Sequence, residues 1–508
     1  MTILAAAIGV AWTGHCNRLP PLGHRPISTA PTDTAATTIG TAIAARLAAH
    51  PDLSGIYPLR DARDAFAARY LLASRAERTL DVQYYIWRRD LSGTLLFKSL
   101  CDAADRGVRV RLLLDDNNTP GLDPTLAALD AHPLIEVRLF NPFVIRRPRL
   151  IGYLTNFSRL NRRMHNKSFM ADNQATIVGG RNVGDEYFGA TDGILFTDVD
   201  VIAIGPVVQE TSRDFDRYWA SPMAYPVDRL LRPVPAARIA EIKAAAVRVA
   251  RDPAAVAYMT ALRASPFVRD LIGGTLPMEW APARLVSDDP AKVLGRAKRE
   301  DLLPEKMRRI FGQPAARVDL VSPYFVPGSG GVDAFSQWAA GGVKVRILTN
   351  AREATDVAAV HAGYAKRRKP LLAAGITLYE LRVRPEHRNV TNTGMFGSSG
   401  SSLHAKTFAV DGSRVFVGSF NFDPRSAELN TEMGFVIDSA ALANLIATAF
   451  ETTIPINAYQ VQLSQSGEMQ WLGRRGGETV LYDLEPGTNL RQRAAVSLLS
   501  LLPIEWLL

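Results

Sequence analysis

Two histidines, two lysines and two asparagines recur in this 508-residue chain with one spacing: His165, Lys167 and Asn182, then His404, Lys406 and Asn421. Each copy also carries an Asp five residues after its Lys, Asp172 and Asp411, and in each His and Asn are 17 positions apart. Ammonium and amide donors suit a phosphodiester, because they hold charge spread over phosphate oxygens without a metal. Two imidazoles supply the rest. One, neutral, attacks phosphorus to form a phosphohistidine, while the other, protonated, gives its proton to the departing alkoxide and then serves as base for the acceptor. No cofactor or metal enters this scheme.

Each imidazole needs an orienting partner on its other ring nitrogen. Glu432 follows the second copy in Leu429–Glu432, and Asp198 and Asp200 follow the first in Phe196–Asp200. Asp172 and Asp411 read as structural, holding a turn or pairing with a basic neighbour. Small residues precede each Asn, Gly179-Gly180 and Gly418-Ser419, so that backbone can approach a ligand closely. The Ser419 hydroxyl is expected to donate to phosphate.

The elements that position these groups follow from the period of a strand. Side chains alternate faces, so His-x-Lys points both groups one way. In the second copy Asp411-Gly412 separates the apolar runs Thr407–Val410 and Arg414–Val417, which predicts a hairpin. The two halves echo each other beyond the motifs: Val318–Phe325 resembles Leu80–Tyr85, and Gly342–Leu348 resembles Gly107–Leu113, at separations of about 235 to 240 residues. Apolar strands alternate with helical stretches such as Gly93–Arg106, which indicates α/β units with two cores. Residues 236–262 read as linking helices, and Thr391–Ser402 as a Gly/Ser-rich loop placed to gate His404.

The duplicated His-Lys-Asp motif resembles the signature of the phospholipase D superfamily, over roughly residues 65 to 460. The segments Gln83–Trp87, Gly179–Phe188, Ser419–Glu432 and Leu501–Leu508 resemble bacterial cardiolipin synthases, above all those of the C type. The resemblance implies two pseudo-twofold related α/β domains, each a mixed sheet flanked by helices, with the site at their interface. It also implies His165 as nucleophile, His404 as acid and base, and transfer of a phosphatidyl group to phosphatidylglycerol at the bacterial cell membrane. The donor, phosphatidylethanolamine or a second phosphatidylglycerol, stays open. The expected domains are 55–225 and 286–460, with a signal- or anchor-like segment 1–54, a helical linker 226–285 and a tail 461–508.

A net charge of +9 favours an anionic partner. Arg146, Arg147, Arg149, Arg159, Arg162 and Arg163 crowd the approach to the first motif, and Lys366–Lys369 form a second cluster; solvated faces and an anionic membrane surface are equally weighted readings. The apolar stretch Ile3–Trp12 is too short to span a bilayer, and His15 before Cys16 departs from a lipoprotein signal, so peripheral and lipid-anchored locations both stay open, as does the membrane face. Cys101 is expected in a helix core, the apolar tail Val496–Leu508 as a cap on the second domain, and Tyr84, Tyr85 and Trp87 as core. Three rivals to phosphatidyl transfer remain: hydrolysis of phospholipids by water, a nucleic-acid phosphodiesterase, for which no binding module is seen and hence no nucleic-acid partner is expected, and a membrane-binding protein without turnover. Oligomeric state is not legible.

Overall fold

The computed structural model describes residues 19–23, 25–190, 195–355, 357–382, 401–475, 477–502 and 505–508. Ile3–Trp12, Cys16 and all but the last two residues of the loop Thr391–Ser402 lie outside the described residues.

In the first half the strands are β1 (Ser54–Leu59), β2 (Thr79–Ile86), β3 (Arg109–Asn118), β4 (Ile135–Phe140), β5 (Ser168–Ala171), β6 (Ala175–Gly179), β7 (Leu195–Thr197), β8 (Asp200–Ile204), β9 (Ala224–Pro226) and β10 (Glu279–Ala281). All but β7 join one sheet, ordered β10-β1-β8-β6-β5-β2-β3-β4-β9. The second half contributes β11 (Ala283–Ser287), β12 (Arg317–Val321), β13 (Lys344–Asn350), β14 (Thr377–Leu381), β15 (Ser401–Leu403), β16 (Thr407–Val410), β17 (Arg414–Gly418), β18 (Met433–Asp438), β19 (Ala458–Leu463), β20 (Met469–Arg475) and β21 (Glu478–Tyr482). Here the order is β11-β18-β17-β16-β12-β13-β14-β19-β20-β21.

The run β8-β6-β5-β2-β3-β4-β9 matches β18-β17-β16-β12-β13-β14-β19 position by position, with the parallel pairs at β2-β3-β4 and β12-β13-β14 and antiparallel pairs elsewhere. Parallel neighbours need crossover helices. Leu91–Asp105 and Asp123–Asp130 serve in the first half, and Gly328–Ala340 followed by Ala358–Ala365 and Arg368–Ala373 in the second. The echoes seen in sequence are these strands. They also repeat a buried ion pair: Arg111 donates to both oxygens of Asp81 at 2.6 and 2.7 Å, and Arg346 to both of Asp319 at 2.6 and 2.8 Å.

The motif aspartates staple the hairpins. Asp172 and Asp411 turn the chain in the left-handed region, at φ 53° and 52°. The Asp172 carboxylate accepts the backbone N–H groups of Glu77, Arg78 and Thr79, and Asp411 accepts those of Ala315, Ala316 and Arg317. Each therefore pins the β5–β6 or β16–β17 turn to the start of the central strand, which is the structural role expected.

One apolar cluster spans both halves, joining Ile56, Val178 and Val201 to Val321, Val417 and Phe435. The helices Ile239–Ala250 and Pro253–Arg263 carry the chain between halves, and Ile242, Tyr258 and Leu262 pack into the first core. The sheet of the second half runs on through β20 and β21, past the limit at 460 drawn from the sequence. The tail beyond it returns to the second half, where Glu505 pairs with Lys366 and Arg367. Cys101 is buried, and burial pushes its thiol up to about 12, so it is inert core.

Most members of the basic clusters are held in ion pairs rather than left as free cations. Arg146 and Arg149 pair with Asp116, Arg163 is buried against Asp115, and Arg368 is buried against Glu380 and Glu485. Their carboxylate partners lie far off in sequence and so were invisible to a local count of charge.

Candidate active site

Each His-x-Lys lies just ahead of β5 or β16, outside the strand expected for it, and its segment is hydrogen-bonded to the other half. The His165 N–H donates to the Thr431 carbonyl at 2.8 Å, and the Thr431 N–H returns to Arg163 at 2.9 Å. Across the pseudo-twofold, the N–H groups of His404 and Ala405 both donate to Thr197, and β15 pairs in parallel with β7. Thr431 and Thr197 immediately precede Glu432 and Asp198. The backbone thus delivers each half's carboxylate to the other half's histidine.

The side chains complete that exchange. His165 Nδ1 lies 3.0 and 2.9 Å from the two oxygens of Glu432, and His404 Nδ1 lies 2.5 Å from Asp198 Oδ2. Neither half holds a complete imidazole–carboxylate pair. Asp200, the other candidate from sequence, does not orient a histidine. It pairs with Arg69 at 2.7 Å and lies 3.5 Å from Arg181, because it starts β8 opposite Gly179. Gly180 is required here: a Cβ on it would stand 2.2 Å from Asp198 Oδ1.

Ser419 departs from the expected contact with phosphate. Its hydroxyl donates to Glu432 at 2.5 Å, and Ser426 donates to the other oxygen at 2.9 Å. Behind them, buried Asp288 accepts the Glu432 N–H at 2.9 Å and the Lys292 ammonium at 2.9 Å. Glu432 is therefore held on every side before any substrate arrives.

The lysines stay beside their histidines. Lys167 Nζ donates to the His165 carbonyl at 2.5 Å. Lys406 Nζ donates to the His404 carbonyl and also lies 2.9 Å from His404 Nδ1. The asparagines differ between halves. Asn182 accepts the Ile86 N–H and donates to the Tyr187 hydroxyl, both at 3.1 Å, whereas the buried Asn421 Oδ1 has no hydrogen-bond partner among the described residues.

Aromatic rings wall the imidazoles, and sequence reading assigned none of them to the site. Tyr85 meets His165 edge-on at 4.8 Å and lies under the Lys167 ammonium at 5.5 Å, so it is a site residue rather than the core residue expected. Its neighbours Tyr84 and Trp87 are buried as read. The register of β2 against β3 breaks between Tyr84 and Ile86, which frees Tyr85 from the strand alternation. Tyr187 and Phe196 each stand 5.2 Å from His404.

Burial sets the charge states. It lowers His165 to about 4, aided by Lys167 and opposed by Glu432. His404 falls well below the ordinary imidazole value through burial and the two ammoniums. Lys167 drops to about 7 by burial and the nearness of Lys406. Burial alone would raise both carboxylates. His165 and Lys167 outweigh it and hold Glu432 below the usual range, while Asp198 stays above it despite Lys406 and Arg181. In the empty site both imidazoles are neutral near pH 7, and a phosphodiester anion is what would let one of them take a proton.

The family model described as cardiolipin synthase, phospholipase D-like domain, matches residues 72–219 and again 307–454. The chain is 53% identical over 460 residues to cardiolipin synthase C of Escherichia coli (strain K12), covering 90% of this chain and 97% of that one. It is 25% identical to cardiolipin synthase B of Salmonella typhi, over 80% of this chain and 82% of the relative. The crystal structure of phosphatidylserine synthase from Haemophilus influenzae Rd KW20 shares the fold, with a TM-score of 0.55 and 13% identity over 89% of this chain and 95% of that one. One motif, one crossed imidazole–carboxylate pair and one matching segment of the family model in each half make this chain a member of the cardiolipin synthase, phospholipase D-like family.

Proposed function

We propose that the protein is a cardiolipin synthase that moves a phosphatidyl group through His165 to the hydroxyl of phosphatidylglycerol. The observation that carries this reading is the pair of half-sites, in which two imidazoles, two ammoniums and two crossed carboxylates are buried within one another's influence. The likeness to cardiolipin synthase C supports the choice of lipid.

His165 Nε2 attacks phosphorus and the ester bond to the donor's headgroup alcohol breaks, with His404 protonating the departing oxygen. The headgroup alcohol leaves. His404 then takes the proton of the acceptor hydroxyl, that oxygen attacks phosphorus, and the bond to His165 breaks to give cardiolipin. Lys167, Lys406 and Asn421 hold the non-bridging oxygens, Asn182 places Tyr187 against His404, and Asp198 and Glu432 fix the rings. Among the described residues no helix is long and apolar enough to cross a membrane, and the reading places the enzyme peripherally at the bacterial cell membrane.

Mass spectrometry of lipids after incubation with phosphatidylglycerol vesicles, with and without phosphatidylethanolamine, tests it. Cardiolipin that disappears in His404→Ala is expected, and its dependence on phosphatidylethanolamine names the donor. Phosphatidic acid alone would make the protein a hydrolase, and unchanged lipids would overturn the reading.

A further inference from the structure

The helix Arg149–Leu160 is packed inside out. Its polar side faces the protein: Arg149 donates to the Asp116 and Asn117 carbonyls, the Tyr153 hydroxyl to Asn117 Oδ1 at 2.6 Å, and Arg159 to Asn141 and Pro142. Its apolar side faces out, with Leu150 67%, Ile151 43% and Leu154 77% exposed before the break at Asn156, and Phe157 46% exposed just after it. A surface helix ordinarily buries its apolar stripe. Here the inward polar side chains are anchored by hydrogen bonds, with Arg159 Nη2 the exception among the described residues, so the inversion is not a packing accident, and an exposed apolar stripe marks a surface that is covered in use.

The helix that carries the stripe is seated beside the site. Asp115, which accepts the Met164 N–H one residue before His165, adjoins the Asp116 and Asn117 that seat the helix. At the other end Arg425 donates to the carbonyl and the side chain of Asn161 and also to the Leu507 carbonyl. One arginine thus ties the helix to the C-terminal segment, where Leu502 and Trp506 are exposed as well. Arg147, exposed at the head of the helix, adds a cation where anionic headgroups would lie.

We propose that this stripe, with the C-terminal Leu502 and Trp506 as its far edge, is the face that sits in the headgroup boundary of a phospholipid bilayer and lets lipid pass directly to His165. An interfacial helix of this kind needs an apolar side for the acyl boundary and a cation for anionic lipid, and the stripe and Arg147 supply them. The inference rests on the phospholipid reading above, and its test separates the two.

Full-length protein and Leu150→Ser/Leu154→Ser are compared in two assays. The first is co-sedimentation with phosphatidylglycerol–phosphatidylethanolamine vesicles, and the second is turnover of a short-chain phosphatidylglycerol kept below its micelle concentration. Removing two inserted leucines is expected to weaken vesicle partition on the order of tenfold to hundredfold. Turnover of the monomeric lipid should stay unchanged. Equal vesicle binding by both proteins overturns the proposal. So does a wild-type dimer that the substitutions dissociate, since the stripe would then face a second copy. Absence of turnover in both proteins, with vesicle binding lost in the variant, would sink the synthase reading while leaving the docking surface standing.

Discussion

At His165, Nδ1 faces one kind of partner, the two oxygens of Glu432 at 3.0 and 2.9 Å; at His404 the same nitrogen stands between Asp198 at 2.5 Å and the Lys406 ammonium at 2.9 Å. A carboxylate alone draws the ring proton onto Nδ1 and leaves the Nε2 lone pair free. An ammonium pointed at that nitrogen competes for the opposite tautomer. The carboxylates differ too: Ser419 and Ser426 hold Glu432, which stays ionised, whereas burial raises Asp198. The duplicated backbone therefore carries two unlike imidazoles, one suited to attack and one suited to exchange a proton.

The largest effect expected is that His165→Ala and His404→Ala each lose about ten-thousandfold or more in cardiolipin formation, as nucleophile and acid act as a unit. Retained activity in either variant would remove the division of roles. Next, Glu432→Gln should cost about a thousandfold in kcat and Asp198→Asn about a hundredfold, because only His165 depends on its carboxylate alone. Equal losses, measured at saturating lipid, would make the half-sites equivalent.

The third expectation concerns pH. Lys167 titrates at about 7, and its ammonium is the form that holds phosphate, so kcat/KM should fall about tenfold per pH unit above 7. His165 is neutral above about 4 and stays competent to attack down to that value, while the protonated His404 that the first step needs grows more abundant as pH falls, so activity should not drop on the acid side above about 4. The same depression bears on stability. The folded pKa lies below the ordinary 6.5, so the unfolded chain binds more protons between the two values and stability is lost as pH falls from about 6.5 to 4. The loss is of the order of 3 kcal/mol in denaturant melts, and absent in His165→Asn. The smallest effect is that of Ser419→Ala. Losing one hydrogen bond to the Glu432 carboxylate should cost roughly tenfold in kcat, with the fold intact. Asp198 has no such hydroxyl, and Gly180→Ser would clash with it rather than support it.

The motifs, the hairpins and the paired strands were legible in sequence because each rests on local spacing: a fixed His-Lys-Asn interval, a turn at Asp411-Gly412, and a repeat that returns β2 and β3 as β12 and β13; the strand period invoked for His-x-Lys does not apply, since both copies lie just before β5 and β16. Glu432 and Asp198 were legible as carboxylates near a motif. That each serves the opposite histidine was not, since only the backbone exchange through Thr431 and Thr197 reveals it. Tyr85 was hidden by a register break, and Ser419 by a partner thirteen residues on. The basic clusters misled because counter-charges such as Asp116 and Glu485 are distant in sequence.

The most direct test of the unequal half-sites is trapping of the covalent adduct at alkaline pH, where the phosphorus–nitrogen bond survives. His404→Ala is mixed with a headgroup-labile phosphatidyl donor, quenched at alkaline pH and digested for peptide mass spectrometry. A phosphatidyl group on the peptide that carries His165, and none in the Glu432→Gln/His404→Ala double variant, is the result predicted. An adduct on His404 in the reciprocal His165→Ala protein, with none on His165, would reverse the roles and contradict the account.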